Sequence, residues 1–190
     1  MDIAGFIVLG IFAVSVAYLV LVYNSLVQIK HDVAKAWSNI DVLLKQRHDE
    51  LPKLVETCKQ YMKYEQETLE KVMRARDGVA AARTSHDVKA LGTAEAGMRG
   101  ALGRLFALAE AYPELKANQT FAHLQGRISG LENGIADRRE FYNESVNINN
   151  VRIEQFPDLI VARLMNFHSF DVLDFDAQET RDVNLQHLFG

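Results

Sequence analysis

From Ile3 to Tyr23 the chain reads IAGFIVLGIFAVSVAYLVLVY, with no charged side chain. About 21 residues at about 1.5 Å rise make a helix of roughly 31 Å, close to the hydrocarbon thickness of a bilayer. Gly5 and Gly10 are tolerated there because a helix in lipid satisfies its own backbone groups, and Tyr23 can set its hydroxyl at the interface. A cleaved signal peptide would carry Lys or Arg before a shorter apolar run, but only Met1 and Asp2 precede this one. A buried core helix would show a polar stripe, which is missing. Residues 1–24 therefore read as a retained transmembrane anchor. No Lys or Arg precedes the span, whereas Lys30 and Lys35 follow it, so the positive-inside rule puts the N-terminus outside and the C-terminal domain in the cytoplasm.

After the anchor, apolar residues recur at three- and four-residue steps. Leu26, Ile29, Val33, Trp37, Ile40 and Leu44 predict that the anchor helix continues beyond the membrane. Asp49-Glu50-Leu51-Pro52 reads as a kink or restart, since proline suits a first turn and disrupts a helix interior. Leu51, Leu54, Val55, Cys58, Met62, Leu69 and Val72 form a second stripe that fades near Gly78, and Thr84–Asp87 is a turn rich in capping residues. Val88, Leu91, Met98, Leu102, Leu105, Ala109 and Tyr112 fit a seven-residue repeat with Glu95 as its polar member. Pro113 ends that helix and Asn118 can cap the next, whose stripe is Phe121, Leu124, Ile128, Leu131 and Ile135. Phe156-Pro157 closes it, and a short helix holding Leu159, Ile160, Leu164 and Met165 can follow. The expected fold is all-α: a transmembrane helix continuing into a long antiparallel helical bundle over residues 25–166, with an irregular tail over 167–190.

That tail sets five acids (Asp171, Asp174, Asp176, Glu179 and Asp182) against Arg181 alone, an excess equal to the whole net charge of −4. Apolar residues are scattered among the acids, Phe170, Phe175, Leu188 and Phe189 included. The segment reads either as a strap docking on another surface through those side chains or as a frayed end.

Composition narrows the functional classes. Forty-eight per cent hydrophobic and 24% charged residues suit a globular chain, and the dispersed Lys and Arg offer no basic face for nucleic acid. The single cysteine excludes an intramolecular disulfide and a cysteine-based zinc site. None of the six histidines has Glu three residues before it, as the di-iron pair of helical bundles requires, and His-Glu-x-x-His is absent. His48-Asp49-Glu50 is the one local acid–histidine cluster, and adjacent helical residues face different ways, so it reads as a solvated turn. Cys58 lies on an apolar stripe and reads as an inert buried thiol. No catalytic residue, cofactor or metal ligand is expected.

Small residues are the more suggestive feature. Ala122, Gly126, Gly130 and Gly134 recur every four residues, although each helical glycine costs nearly 1 kcal/mol relative to alanine. At about 100° per residue this ridge lies roughly 150° from the Phe121–Ile135 stripe, outside that core. It is either a tolerated surface or a second face where another helix approaches closely; Gly92, Ala96 and Gly100 hint the same way.

The polar residues carry a resemblance. The anchor leads into Tyr23-Asn24 and then AWSNIDVLLKQRHDELPKLVETCKQY at Ala36–Tyr61. Later come RLFALAEAYPELKANQTFAHLQ at Arg104–Gln125 and LENGIADRREFYNESVNINN at Leu131–Asn150, followed by Gln155-Phe156-Pro157. Together these resemble the LemA family of bacterial membrane proteins, up to about Phe167. Where that family has a second Tyr-Asn near the end of the last long helix, this chain has Ile148-Asn149. The resemblance implies an N-terminally anchored helical bundle in the inner (cytoplasmic) membrane, with no assigned reaction. One relative's link to magnetosome membranes implies membrane organisation; others' proximity to an HtpX-like membrane metalloprotease implies a regulatory adaptor. Matching motif positions are Trp37, Asn39, Asp41, Arg47, Glu110, Tyr112, Asn118, Glu132, Arg139, Tyr142 and Asn143. They can form satisfied polar networks inside the bundle or a contact surface. The expectation is a non-enzymatic scaffold that self-assembles on the bilayer, with an adaptor for a membrane protease or envelope-stress sensor as the alternative.

Overall fold

A computed structural model describes residues 3–174. All of its regular structure is helical: α1 (Ile3–Lys59), α2 (Gln66–Ser85), α3 (Val88–Ala109), α4 (Pro113–Lys116), α5 (Gln119–Glu154) and α6 (Asp158–Leu164). The described chain divides into two compact units, residues 3–39 with 140–171 and residues 40–139 with 172–174; α1 and α5 each lend a length to both.

In the first unit α1 and α5 run antiparallel. Val22 and Leu26 share a cluster with Ile153, Val161 and Ala162, and Trp37 meets Tyr142 at a ring separation of 5.6 Å. Every residue from Ile3 to Leu21 is exposed, and that apolar opening of α1 is a candidate membrane span. The short helix expected near Pro157 forms, at Asp158–Leu164. Asp158, Val161 and Ala162 are buried, while Ile160 and Leu164, and Met165 just beyond the helix, are exposed. The small residues fit against α1, which leaves the bulky ones outside.

The second unit is a four-helix bundle of α1, α2, α3 and α5. Its core takes Ile40, Leu44, Leu54 and Cys58 from α1, Leu69 and Val72 from α2, Leu91, Met98 and Leu105 from α3, and Phe121 and Ile128 from α5. The Thr84–Asp87 turn forms as the capping residues predict. His86 takes a left-handed conformation, and the Asp87 carboxylate accepts the Ala90 N–H at 2.9 Å, filling one of the donors a helix start leaves open. Asn118 likewise accepts the Phe121 N–H at 3.0 Å at the head of α5.

The restart expected at Asp49–Pro52 does not occur: α1 runs through Pro52 to Lys59. A proline leaves the carbonyl four residues back without its partner. Here that carbonyl belongs to His48, and Nε of Arg76 on α2 donates to it at 3.0 Å. The chain instead turns between Lys59 and Gln66, with neither Gly nor Pro in the turn. Met62 lies fully buried there, and Asn118 donates to the Tyr61 hydroxyl at 3.0 Å. Tertiary anchoring places this turn.

Candidate functional site

The motif residues do not converge on one place. Asp41, Arg47, Glu110, Tyr112, Asn118, Glu132 and Arg139 belong to the bundle unit, whereas Trp37, Asn39, Tyr142 and Asn143 belong to the other.

Within the bundle, Arg47 is the polar centre, only 1% exposed. Its guanidinium donates to Glu95 on α3, which is 3% exposed, and to Glu132 on α5, 21% exposed. Burial alone would lower the Arg47 pKa, but the two carboxylates outweigh it and raise it above its ordinary value, so Arg47 stays charged. Glu95 moves the same way: burial raises its pKa, and one arginine shared between two acids returns only part of that shift. Spacing on three separate helices gave no sign that Glu95 joins Arg47 and Glu132; the lone acid in the α3 stripe was the available signal. Elsewhere in this unit, Asp41 pairs with Arg83 at 3.4 Å at half-buried positions, and Glu110 pairs with Lys116 at exposed ones. The Tyr112 hydroxyl donates to Glu65 at 3.4 Å, while Arg139 is half-buried and holds a partner of its own.

His48 is not in a solvated turn. It is half-buried; its Nε2 lies 2.6 Å from an Arg76 nitrogen, and its Nδ1 is buried without a hydrogen-bond partner. Since Arg76 can only donate, Nε2 accepts and the proton sits on Nδ1. Burial, and then the Arg76 charge, lower the His48 pKa from its ordinary 6.5.

In the first unit the head of the tail is laced onto α5. Asn150 donates to the Phe170 carbonyl and accepts the Phe170 N–H, both at 2.9 Å, so one side-chain amide completes both backbone groups of an extended residue. Asn149 donates to the His168 carbonyl at 3.1 Å, and the Tyr142 hydroxyl to the Asp171 carbonyl at 3.0 Å. Asn143 is half-buried with a partner of its own, and Asn39 is exposed. Phe170 is therefore fixed by its backbone to its own chain; Phe175, Leu188 and Phe189 lie outside the described residues. In the bundle unit Leu173 is fully buried, and the Asp174 carbonyl lies directly over Gly92, where a Cβ would collide with it. Gly92 thus serves its own tail rather than an outer face.

Ala122, Gly126 and Gly130 lie exposed on α5, and a Cβ on either glycine would meet nothing within 4 Å. Gly134 departs from the expected ridge: it is half-buried, and a Cβ there would sit 3.3 Å from Cδ1 of Leu43 on α1. Each four-residue step advances roughly 40° around a helix, so the row winds inward as it runs along α5.

An open groove of about 650 Å³ beside the turn between α1 and α2 is lined by Val55, Met62, Leu69 and Met73 and rimmed by Lys59, Lys63 and Arg74. Among the described residues no group of three or more His, Cys, Asp or Glu is placed to hold a metal ion. Cys58 is fully buried, and burial pushes its thiol pKa up to about 12.

The described residues thus define a helical protein whose long apolar N-terminal helix is a candidate membrane span and whose buried Arg47 is paired with Glu95 and Glu132. The chain belongs to the LemA family, whose model matches residues 36–187. It is 27% identical over 175 residues to magnetosome protein MamQ 2 of Paramagnetospirillum magneticum, covering 80% of this chain and 64% of that protein. It is 37% identical over 79 residues to MamQ of Magnetospirillum gryphiswaldense, covering 42% and 29%. With protein LemA of Metamycoplasma hominis it shares 27% identity over 190 residues, covering 96% of this chain and 84% of the other. The chain spans only 64% of the length of its MamQ 2 relative.

Proposed function

We propose that this chain is a non-enzymatic scaffold, anchored in the bacterial inner membrane with its C-terminal domain cytoplasmic, that self-assembles through its helical bundle. The observation that carries this reading is the exposed row Ala122, Gly126 and Gly130: two glycines in a helix interior, each costing nearly 1 kcal/mol relative to alanine, with no neighbour among the described residues that requires them. Small residues let a second helix approach closely, and the magnetosome proteins among the relatives support an organising role at a membrane. The test is the mass of the full-length protein in mild detergent, by light scattering with imaging of the particles. A discrete complex of many chains, dispersed by Gly130→Leu while the helical spectrum is retained, is the expected result. A monomer at high protein concentration refutes it.

The groove between α1 and α2 favours a second reading, an adaptor that receives a segment of a membrane protease or stress sensor. A stable monomer that captures such a protein, and loses it on Met73→Glu, would replace the scaffold with the adaptor.

A further inference from the structure

The corner between α5 and α6 carries an apolar edge that no described residue covers. Phe156 is 81% and Leu164 75% exposed; Ile160 and Met165 are exposed beside them. Ile160 and Leu164 are spaced by four and share one side of α6, while Asp158, Val161 and Ala162 fill the other; Phe156 stands in the turn just before the helix. Large apolar side chains grouped at an exposed edge mark an interaction site.

Its position within the unit says with what. Val161 and Ala162 cluster with Val22 and Leu26, and Val22 is the only buried residue between Ile3 and Tyr23. Just past α6, Asn166 takes a left-handed conformation, the Phe167 N–H bonds the Ala162 carbonyl at 2.9 Å, and the Phe167 ring meets Tyr23 edge-on at 6.1 Å. The corner is thus pinned to the last turn of the charge-free span, where Val20 and Leu21 are themselves exposed. Arg152 neutralises Asp158 at the head of α6, and Arg163 stands exposed near its end, where it can meet anionic headgroups.

We infer that the α5–α6 corner is a second membrane contact: Phe156, Ile160, Leu164 and Met165 enter the interface of the leaflet from which the anchor emerges, with Arg163 at headgroup level. This rests on reading Ile3–Tyr23 as the span. It makes the protein attach at two points, a crossing helix and a wedge beside it, so the first unit is held upright rather than swivelling on one helix.

The test uses the full chain reconstituted in phosphatidylcholine–phosphatidylglycerol vesicles. Leu164→Cys, and separately Val14→Cys, carry an environment-sensitive fluorophore; Cys58, fully buried, stays unlabelled. Lipids with a quencher near the headgroup end of the acyl chain should blue-shift and quench the Leu164 label, and deep quenchers should quench the Val14 label. Val14 quenched with Leu164 emitting as in water overturns the wedge alone. Neither quenched overturns the span and the wedge together. A Leu164 label that is blue-shifted but not quenched by any lipid assigns the edge to another protein chain and overturns the proposal.

Discussion

Arg47→Met strips Glu95 in the bundle core of the guanidinium that donates to it and leaves it the charge of Arg99, one turn along α3. Glu132 is 21% exposed and can turn to water, but Glu95, 3% exposed, cannot. Removing one partner of a buried pair costs about 3–5 kcal/mol. The chain limits that loss by protonating Glu95. Holding a carboxyl of ordinary pKa 4.5 protonated at pH 7 costs about 3.4 kcal/mol, at about 1.4 per pH unit. The same arithmetic leaves about 0.7 kcal/mol at pH 5. In the variant the folded state holds a proton that the unfolded state has released, so its stability falls as pH rises. Burial already raises the Glu95 pKa in the parent chain, which therefore follows the same sign more weakly. Urea unfolding of the full-length protein in mild detergent, followed by circular dichroism at pH 7 and pH 5, reads both values. Arg47→Met with Glu95→Met should recover most of the loss, since an apolar pair strands nothing. A loss below about 1 kcal/mol at pH 7, or equal losses at the two pH values, would refute the stranded-carboxylate reasoning.

Gly92→Ala forces the Asp174 carbonyl away and draws Leu173 from its buried site, at a cost of about 1.5–3 kcal/mol in the same urea assay; a neutral substitution would mean that the tail does not lie on α3. His48 has a lowered pKa, so the unfolded chain binds more protons than the folded one near and below pH 6.5, and stability falls as the solution is acidified through that range. His48→Gln should flatten this part of the pH profile, and an unchanged slope would assign it to other groups. The Cys58 thiol, buried and with its pKa pushed up to about 12, should react with a thiol reagent only as fast as the bundle opens. Labelling that proceeds at the rate of a free cysteine would contradict the packing of α1.

The apolar run at Ile3–Tyr23, the three- and four-residue stripes and the caps at Asp87 and Asn118 determined the helices and the all-α class, because each depends on neighbours within a turn or two. Asn150 was legible as a polar residue, but not as the amide that holds Phe170, since an extended strap has no periodicity to announce its partner. Pro52 marked a break where none occurs; only the packing of α2 brings Arg76 to the carbonyl that Pro52 leaves open. The actual turn, around Met62, carries no local signal because core burial and Asn118 on another helix hold it in place. The same holds for Arg47, Glu95 and Glu132, three charges whose meeting depends on the register of three helices. Local physics set which segments are helical; the need to bury one shared core without stranding charge decided which faces meet.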